Sequence, residues 1–387
     1  MTRIHAPQFK KPRAHRFSVK LAHGSHVSSV VEPRTRVAAI VVVCCALLVA
    51  GAAAAPAPER ILVRAEGEKL SIYAAQPEAK GCQRVLRLVR EAGNVISPDG
   101  RWIARLEGDR EVAIVSLADG RVRTVGRTRV RPPSSLLWSK DGRQLAFDDG
   151  ASLVIVAVEG KERRRVRLRT RPFVTYSPLA WSPDRSMIAL RTTWGSGRAG
   201  TLREDFEVVT LAGGNLSRLQ RNPDPYSSDF SPDWSPDGET VVYDAGDPGE
   251  IFSIHPDGSG RRQLTDRRML RGDRGPVYDR DPVYDRDPLW SPDGSRIAFT
   301  SSRNGGEEVY VMNADGSTER RLTVTQRPPR GTPQLGSALL AWSPEGTRLA
   351  VDRQSALVLA DVDANSRREL CKFPILTTSI SAGVWAR

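Results

Sequence analysis

Residues 290–323 read WSPDGSRIAFTSSRNGGEEVYVMNADGSTERRLT, and this stretch decides the fold. Trp290 ends an inner strand, where a large flat side chain can pack between neighbouring sheets. Pro292 fixes φ, and Asp293-Gly294 supplies a tight turn. An apolar strand follows over 296–300. Residues 308–313 then alternate apolar and polar side chains, with the period of two that a strand requires. Asp315-Gly316 makes a second turn into a short, arginine-rich strand over 320–323. Charge on that last strand suits an exposed sheet edge.

The same pattern starts at Trp138 (WSKDGRQLAF), Trp181 (WSPDRSMIAL), Trp234 (WSPDGETVVY) and Trp342 (WSPEGTRLAV). A sixth copy, ISPDGRWIAR, puts Ile96 at the tryptophan position. The intervals of 42, 43, 53, 56 and 52 residues are the size of one four-stranded propeller blade. The predicted fold is therefore all-β, a β-propeller of four-stranded antiparallel blades. Lys140 stands where other copies have Pro, Arg185 where they have Gly, and Glu345 where they have Asp. Each departure is expected to relax one turn.

The two ends of the repeat region predict how the ring closes. Residues 60–90 contain three strand-like pieces, ILVRAEG, KLSIYAA and QRVLRLV, before the first SPDG. They look like a blade lacking its inner strand. The final SAGVWAR places Trp385 43 residues beyond Trp342 and looks like the missing strand. Six complete blades and one composite blade make seven; a six-bladed ring with the ends as extensions is the alternative.

Ahead of the propeller, assigned to 60–387, lies a basic leader. Residues 1–36 hold eight Lys/Arg against one acid. Val37 to Ala55 is an uninterrupted run of 19 apolar or small residues, long enough to span a bilayer as a hydrophobic helix. The basic flank keeps that side in the cytoplasm and sends the rest outward. Two readings stand: a cleaved signal peptide with small-residue sites around Ala53 to Ala57, or an uncleaved signal anchor. Either way the propeller is expected outside the cytoplasm, as a periplasmic, extracellular or membrane-anchored domain.

Composition removes several functions. Of the net charge of +13, +7 sits in the leader, and the remaining +6 reads as a diffuse excess with 44 acids interleaved. That is no nucleic-acid footprint. His255 is the one histidine beyond residue 26, and no CxxC pair exists, so zinc and Ser–His chemistry have no obvious residues. No catalytic or cofactor-binding residue is assigned. Cys82 and Cys371, the cysteines of the propeller, come from opposite chain ends yet belong to neighbouring structure if the ring has seven blades. An oxidising compartment makes a disulfide between them a possibility, with two independent thiols as the alternative.

Strand alternation puts the short SPDG and NADG turns on one face and the other connections on the opposite face. The long connections, 192–205, 222–233, 267–287 and 324–337, all fall on that opposite face, which marks it as the binding face. One of them carries a tandem duplication, VYDRDP at 277–282 and 283–288. Tyr and Arg carry binding hot spots, so Tyr278, Arg280, Tyr284 and Arg286 are partner-binding candidates. Trp194, Arg198, Tyr226, Arg327 and Arg330 on the other long connections join them. Asp279, Asp281, Asp285 and Asp287 form a weak calcium set, the hard oxygen ligands such a cation takes. A solvated loop of paired Asp and Arg explains the same residues more simply. Trp194 is as readily a packing residue, and His255, beside a Pro-Asp-Gly turn, reads as a surface turn residue. Gly195, Gly197 and Gly200 make no phosphate loop, since no GK[ST] follows.

The SPDG, VYVMNADG and RLT elements resemble the repeats of the TolB-type propeller family, over about residues 60–387. The resemblance implies a periplasmic or cell-surface protein that binds other macromolecules and carries no catalytic residues. The expected function is a non-catalytic envelope scaffold engaging proteins or peptides through the long-loop face. It touches the membrane through 37–55 if that segment is uncleaved, and no nucleic acid is expected. Propeller folds host many functions. A lyase or hydrolase working in the central channel, or a ligand or glycan sensor, remain the alternatives.

Overall fold

The computed structural model describes residues 59–66, 70–88, 94–129, 135–150, 152–159, 163–168, 174–195, 203–222, 230–246, 249–266, 283–304, 306–324, 337–353, 356–373 and 379–386. The leader and its predicted hydrophobic helix lie outside them. No helix among the described residues is long and apolar enough to cross a membrane.

The described chain forms seven four-stranded antiparallel sheets. The first blade contains β1 (Arg60–Glu66), β2 (Leu70–Ala75) and β3 (Cys82–Leu88). The second runs from β4 (Val95–Ile96) through β5 (Trp102–Glu107) and β6 (Glu111–Ser116) to β7 (Val122–Arg127). The third holds β8 (Leu136–Trp138), β9 (Gln144–Asp148), β10 (Ser152–Ala157) and β11 (Arg163–Arg167). The fourth holds β12 (Val174–Trp181), β13 (Met187–Trp194), β14 (Arg203–Thr210) and β15 (Asn215–Asn222). The fifth holds β16 (Asp233–Trp234), β17 (Val241–Ala245), β18 (Glu250–Ile254) and β19 (Arg262–Gln263). The sixth holds β20 (Asp285–Trp290), β21 (Arg296–Ser301), β22 (Glu308–Asn313) and β23 (Arg320–Arg321). The seventh holds β24 (Ser337–Trp342), β25 (Arg348–Arg353), β26 (Ala356–Asp361) and β27 (Arg367–Lys372). β28 (Ser379–Ala386) then returns to the first blade and pairs with β1 from Arg60↔Ala386 to Glu66↔Ser379, giving the order β28-β1-β2-β3. Seven blades, one of them composite, is the architecture.

Packing closes the ring as well. Each neighbouring pair of blades shares an apolar cluster, including the seventh and first, where Ile61 and Val63 pack with Ala350, Leu357 and Leu359. The repeat tryptophans sit in these seams. Trp181 and Trp234 are fully buried, and each indole N–H donates backwards to the preceding blade. Trp138 reaches the Val95 carbonyl (3.0 Å), Trp181 that of Leu137 (3.3 Å), Trp234 that of Ala180 (3.3 Å) and Trp342 that of Leu289 (3.1 Å). At these four positions a large side chain fills volume and the indole N–H finds a partner; the buried Trp290 indole nitrogen makes no such bond among the described residues.

The SPDG turns explain their own sequence. In the five copies that carry Asp, the Ser hydroxyl donates to the Asp carboxylate at 2.5–2.6 Å and accepts a backbone N–H five residues on, as in Ser291, Asp293 and Arg296. The Ser hydroxyl holds the carboxyls of Asp184, Asp237 and Asp293 below the usual carboxylate range. The glycine takes a positive φ, 78° at Gly238 and 73° at Gly294. Each of the three departures keeps the backbone hydrogen bond of its turn. Arg185 adopts the glycine conformation, φ 62°, and its N–H still donates to Ser182 (3.0 Å). The corresponding bonds at Gly142 and Gly346, in the turns with Lys140 and Glu345, are 2.9 Å each. Lys140 does more than replace Pro: its ammonium meets the Asp233 carboxylate (3.1 Å) and the Trp234 carbonyl (3.0 Å), joining the third blade to the inner strand of the fifth.

At the outer rim, Cys82 of β3 and Cys371 of β27 are joined in a disulfide, with a Cα–Cα separation of 5.6 Å and 289 residues between them. Both pack on the apolar cluster between the first and seventh blades, and the Gly81 N–H donates to the Leu370 carbonyl (2.7 Å) beside them.

Candidate functional site

Two of the long connections are shorter than the sequence suggests. Thr192–Trp194 and Arg203–Asp205 belong to β13 and β14, paired out to Trp194↔Arg203. Buried polar bonds carry the hairpin this far: Thr192 donates to Glu207 (2.6 Å) and Thr193 to Glu204 (3.2 Å). Likewise Asp285, Arg286 and Asp287 open the inner strand β20 and do not lie in a free loop.

The second VYDRDP copy therefore sits at the seam between the fifth and sixth blades. The Tyr284 N–H donates to Ser302 Oγ (2.9 Å) and its hydroxyl to Glu307 Oε1 (2.5 Å). Burial, reinforced by the Glu307 carboxylate, pushes the phenol up to about 12. The Arg286 guanidinium lies 4.9 Å from the Tyr284 ring centroid, pairs with Glu307, and is 3.4 Å from Asp287. Tyr284, Arg286 and Glu307 thus form one unit, the guanidinium over the ring and the carboxylate accepting from both donors.

Asp285 is fully buried and faces inward. Its carboxylate accepts from Arg303 (3.0 Å), and its N–H donates to the Gly249 carbonyl of the fifth blade (2.9 Å). Arg303 is held in turn by Glu319 and lies over the rings of Tyr310 (4.6 Å) and Phe299 (5.5 Å). Asp287 adopts a left-handed φ of 53°, a conformation that short polar side chains tolerate. Its Oδ1 accepts the Ser231 hydroxyl (2.9 Å), while the Ser231 N–H donates to Asp244 Oδ1 (2.6 Å). Ser231 thereby bridges two carboxyl groups. Asp244, at the end of β17, is buried; that burial, with the charge of Asp287 added, pushes it up to about 7. A carboxyl that gains and loses its proton near neutral pH beside a second carboxylate can act as an acid–base pair or as a hydrogen-bonded clamp between blades.

The structure brings together Tyr284, Arg286 and Asp287 from the predicted set. Trp194 lies in another blade, at the end of β13, where its indole N–H donates to Asp205 (3.2 Å) and Arg203 stacks over its ring at 5.7 Å. Arg198, Tyr226, Tyr278, Asp279, Arg280, Asp281, Arg327 and Arg330 lie outside the described residues. Among the described residues no three His, Cys, Asp or Glu side chains are grouped to hold a metal. His255 is exposed in its turn, its Nδ1–H donating to the Glu239 carbonyl (2.9 Å). Ser231, Asp244, Arg303 and Glu307 escape the sequence reading. A signal for Asp244 exists: an aspartate lies at or near the end of the second strand, at the same repeat position, in Asp148, Asp244 and Asp352.

These features define the class: a closed seven-bladed β-propeller whose inter-blade seams carry both its core and its polar cluster. Similarity to known proteins narrows it. No protein-family model matches the chain. The chain is similar to the Tol-Pal system protein TolB of Anaeromyxobacter dehalogenans, 37% identical over 126 residues, covering 31% of this chain and 25% of that protein. It is also similar to a TolB homologue of Chlorobium luteolum, 32% identical over 136 residues, covering 35% and 26%. The matches span about a quarter of the length of these relatives. The periplasmic gluconolactonase of Pseudomonas aeruginosa shares the fold, with a TM-score of 0.52 at 16% identity over 85% of this chain and 99% of that one. Over that matched third of the chain, the propeller repeats are similar to those of TolB proteins.

Proposed function

We propose that this chain is an exported, non-catalytic binding scaffold of the cell envelope that engages protein or peptide partners through its long-loop face. The observation that carries the reading is the Tyr284–Arg286–Glu307 unit, an aromatic and a guanidinium held rigid at a blade seam, where the adjacent chain repeats the same Tyr-Asp-Arg-Asp sequence. Rigid Tyr and Arg side chains on a fixed scaffold are the usual anchors of protein recognition. The apolar run at 37–55 and its basic flank support export. Affinity capture with the full chain tests the scaffold. Removing residues 273–282, or combining Tyr278→Ala, Arg280→Ala and Arg286→Ala, is expected to lose the partners the wild type retains. Unchanged capture by both variants would overturn the reading.

A second reading is a propeller enzyme using carboxyl chemistry. The Asp244–Asp287 pair favours it, because an acid poised near neutral pH is what general acid–base catalysis needs. Turnover of a glycan or lactone substrate that disappears in Asp244→Asn would support this reading over the first.

A further inference from the structure

The positive charge beyond the leader is not diffuse. Residues 121–171 hold fourteen Lys/Arg and five acids, a net of +9, although residues 37–387 as a whole carry only +6. The rest of the propeller is therefore slightly acidic. Seven of the fourteen lie on or next to one sector of the rim: β7 and β11 are the outermost strands of the adjacent second and third blades. On them Arg123, Arg127, Arg163, Arg164, Arg165 and Arg167 are all exposed, as is Arg121 just before β7, which pairs with Asp119 (3.2 Å).

Three of these arginines bond across blades to neutral groups. Arg123 donates to the Val158 carbonyl, Arg163 to the Arg127 carbonyl (3.3 Å) and Arg164 to the Leu211 carbonyl (2.6 Å). Such bonds fix the guanidinium groups in place, and among the described residues none of the three has a carboxylate partner. Arg165 is paired, with the buried Asp149. Residues 163, 165 and 167 alternate along one strand, so their Cα atoms fall about 7 Å apart in a row. Val122, 48% exposed, lies between Arg121 and Arg123 at the start of β7; only Val283 and Val324 are comparably exposed large apolar residues among the described ones.

We propose that this rim, β7 and β11, docks on an anionic phospholipid bilayer. The guanidinium row binds headgroup phosphates, for which arginine has the matching planar fork, and Val122 enters the interface. An apolar side chain within a basic patch fits a bilayer better than a purely polar polyanion. The sequence also points to a bilayer: four residues separate Ala55, the end of the apolar run, from Arg60 in β1. The proposal needs no permanent anchor, and it is independent of the long-loop face.

The test uses the full chain with phosphatidylcholine vesicles and with vesicles containing one third phosphatidylglycerol. Two quantities are read: the fraction bound, and the deuterium uptake of peptides covering 121–129 and 163–168. The rim variant carries Arg123→Glu, Arg127→Glu, Arg163→Glu and Arg167→Glu. A control of equal charge change carries Arg84→Glu, Arg262→Glu, Arg367→Glu and Lys372→Glu, on outer strands elsewhere. The expected result is preference for the anionic vesicles, weakened at least about tenfold in the rim variant but not in the control, and abolished by molar salt. Uptake at the two wild-type peptides should slow on anionic vesicles only; this readout stands even if the leader holds every variant on the vesicle or the rim variant does not fold. Unslowed uptake on anionic vesicles would overturn the proposal. So would slowing produced by a soluble polyanion such as polyglutamate but not by vesicles.

Discussion

Breaking the Cys82–Cys371 bridge should cost this ring a large part of its stability. The bond joins outer strands of neighbouring blades across 289 residues of sequence. In the chain-entropy treatment, a bridge restricts the unfolded chain by an amount that grows with the logarithm of the loop, which for this separation comes to about 5.7 kcal/mol at 25 °C. That figure is a ceiling. Unfolded chains retain structure, and native bridges typically contribute about 2–4 kcal/mol. The native ring does not depend on the bridge for its geometry, since β1 and β28 pair over seven positions and the Ile61 cluster packs beside them. The Cys82→Ser, Cys371→Ser double variant should therefore fold to the same propeller, with its urea transition lowered by about 2–5 kcal/mol. The assay is equilibrium urea unfolding followed by tryptophan fluorescence, with wild type run oxidised and reduced. Thiol counting by mass spectrometry establishes the state of each sample. Reduced wild type should match the double variant. If the oxidised and reduced proteins unfold within about 1 kcal/mol of one another while thiol counting shows the bridge intact in the first, the loop-entropy reasoning is wrong for this ring.

Asp244 makes stability depend on pH. Its folded value of about 7 lies above the ordinary 3.8, so the native state holds the proton more tightly than the unfolded chain. The contribution is complete below about pH 4 and is lost as pH rises through about 7, on the order of 3 kcal/mol between pH 5 and pH 8. Asp244→Asn should flatten urea-derived stability over that interval; an unchanged slope refutes the assignment. Trp138→Phe keeps most of the apolar volume and removes the indole donor to Val95, so it should cost about 1–3 kcal/mol by chemical denaturation. Tyr284→Phe strips one donor from Glu307 and should cost about 1 kcal/mol while leaving the far-ultraviolet circular dichroism unchanged.

The ring was legible because its information is local and repeated. Each SPDG turn specifies its own hydrogen bonds within six residues, and each tryptophan declares a seam. The composite blade was legible for the complementary reason: three strands at one end and one at the other fit nothing else. The polar site was only half legible. The duplicated Tyr-Asp-Arg-Asp drew attention to the right segment, yet its second copy opens an inner strand because Asp285 finds Arg303 eighteen residues on in its own blade and Gly249 in the neighbouring one, partners no local pattern announces. The Lys140–Asp233 bridge and the Ser231–Asp244–Asp287 cluster join positions 93 and 56 residues apart at their widest, and no spacing rule connects them. The bunching of arginine on the rim was visible as composition, but its meaning depended on β7 and β11 being outermost neighbours.

The pairing of β28 with β1 also sets an order in time. A ribosome delivers β1 among the first ordered strands and its inner partner among the last. Until β28 arrives, the first blade presents an open row of backbone donors and acceptors at its inner edge, a template for mispairing with a second chain. Because the contact is so distant in sequence, it is a slow one to form. Closing the first blade is thus an event of the single strand β28. A factor that shields β1 during that interval would raise the yield of folded protein without touching the stability of the finished ring.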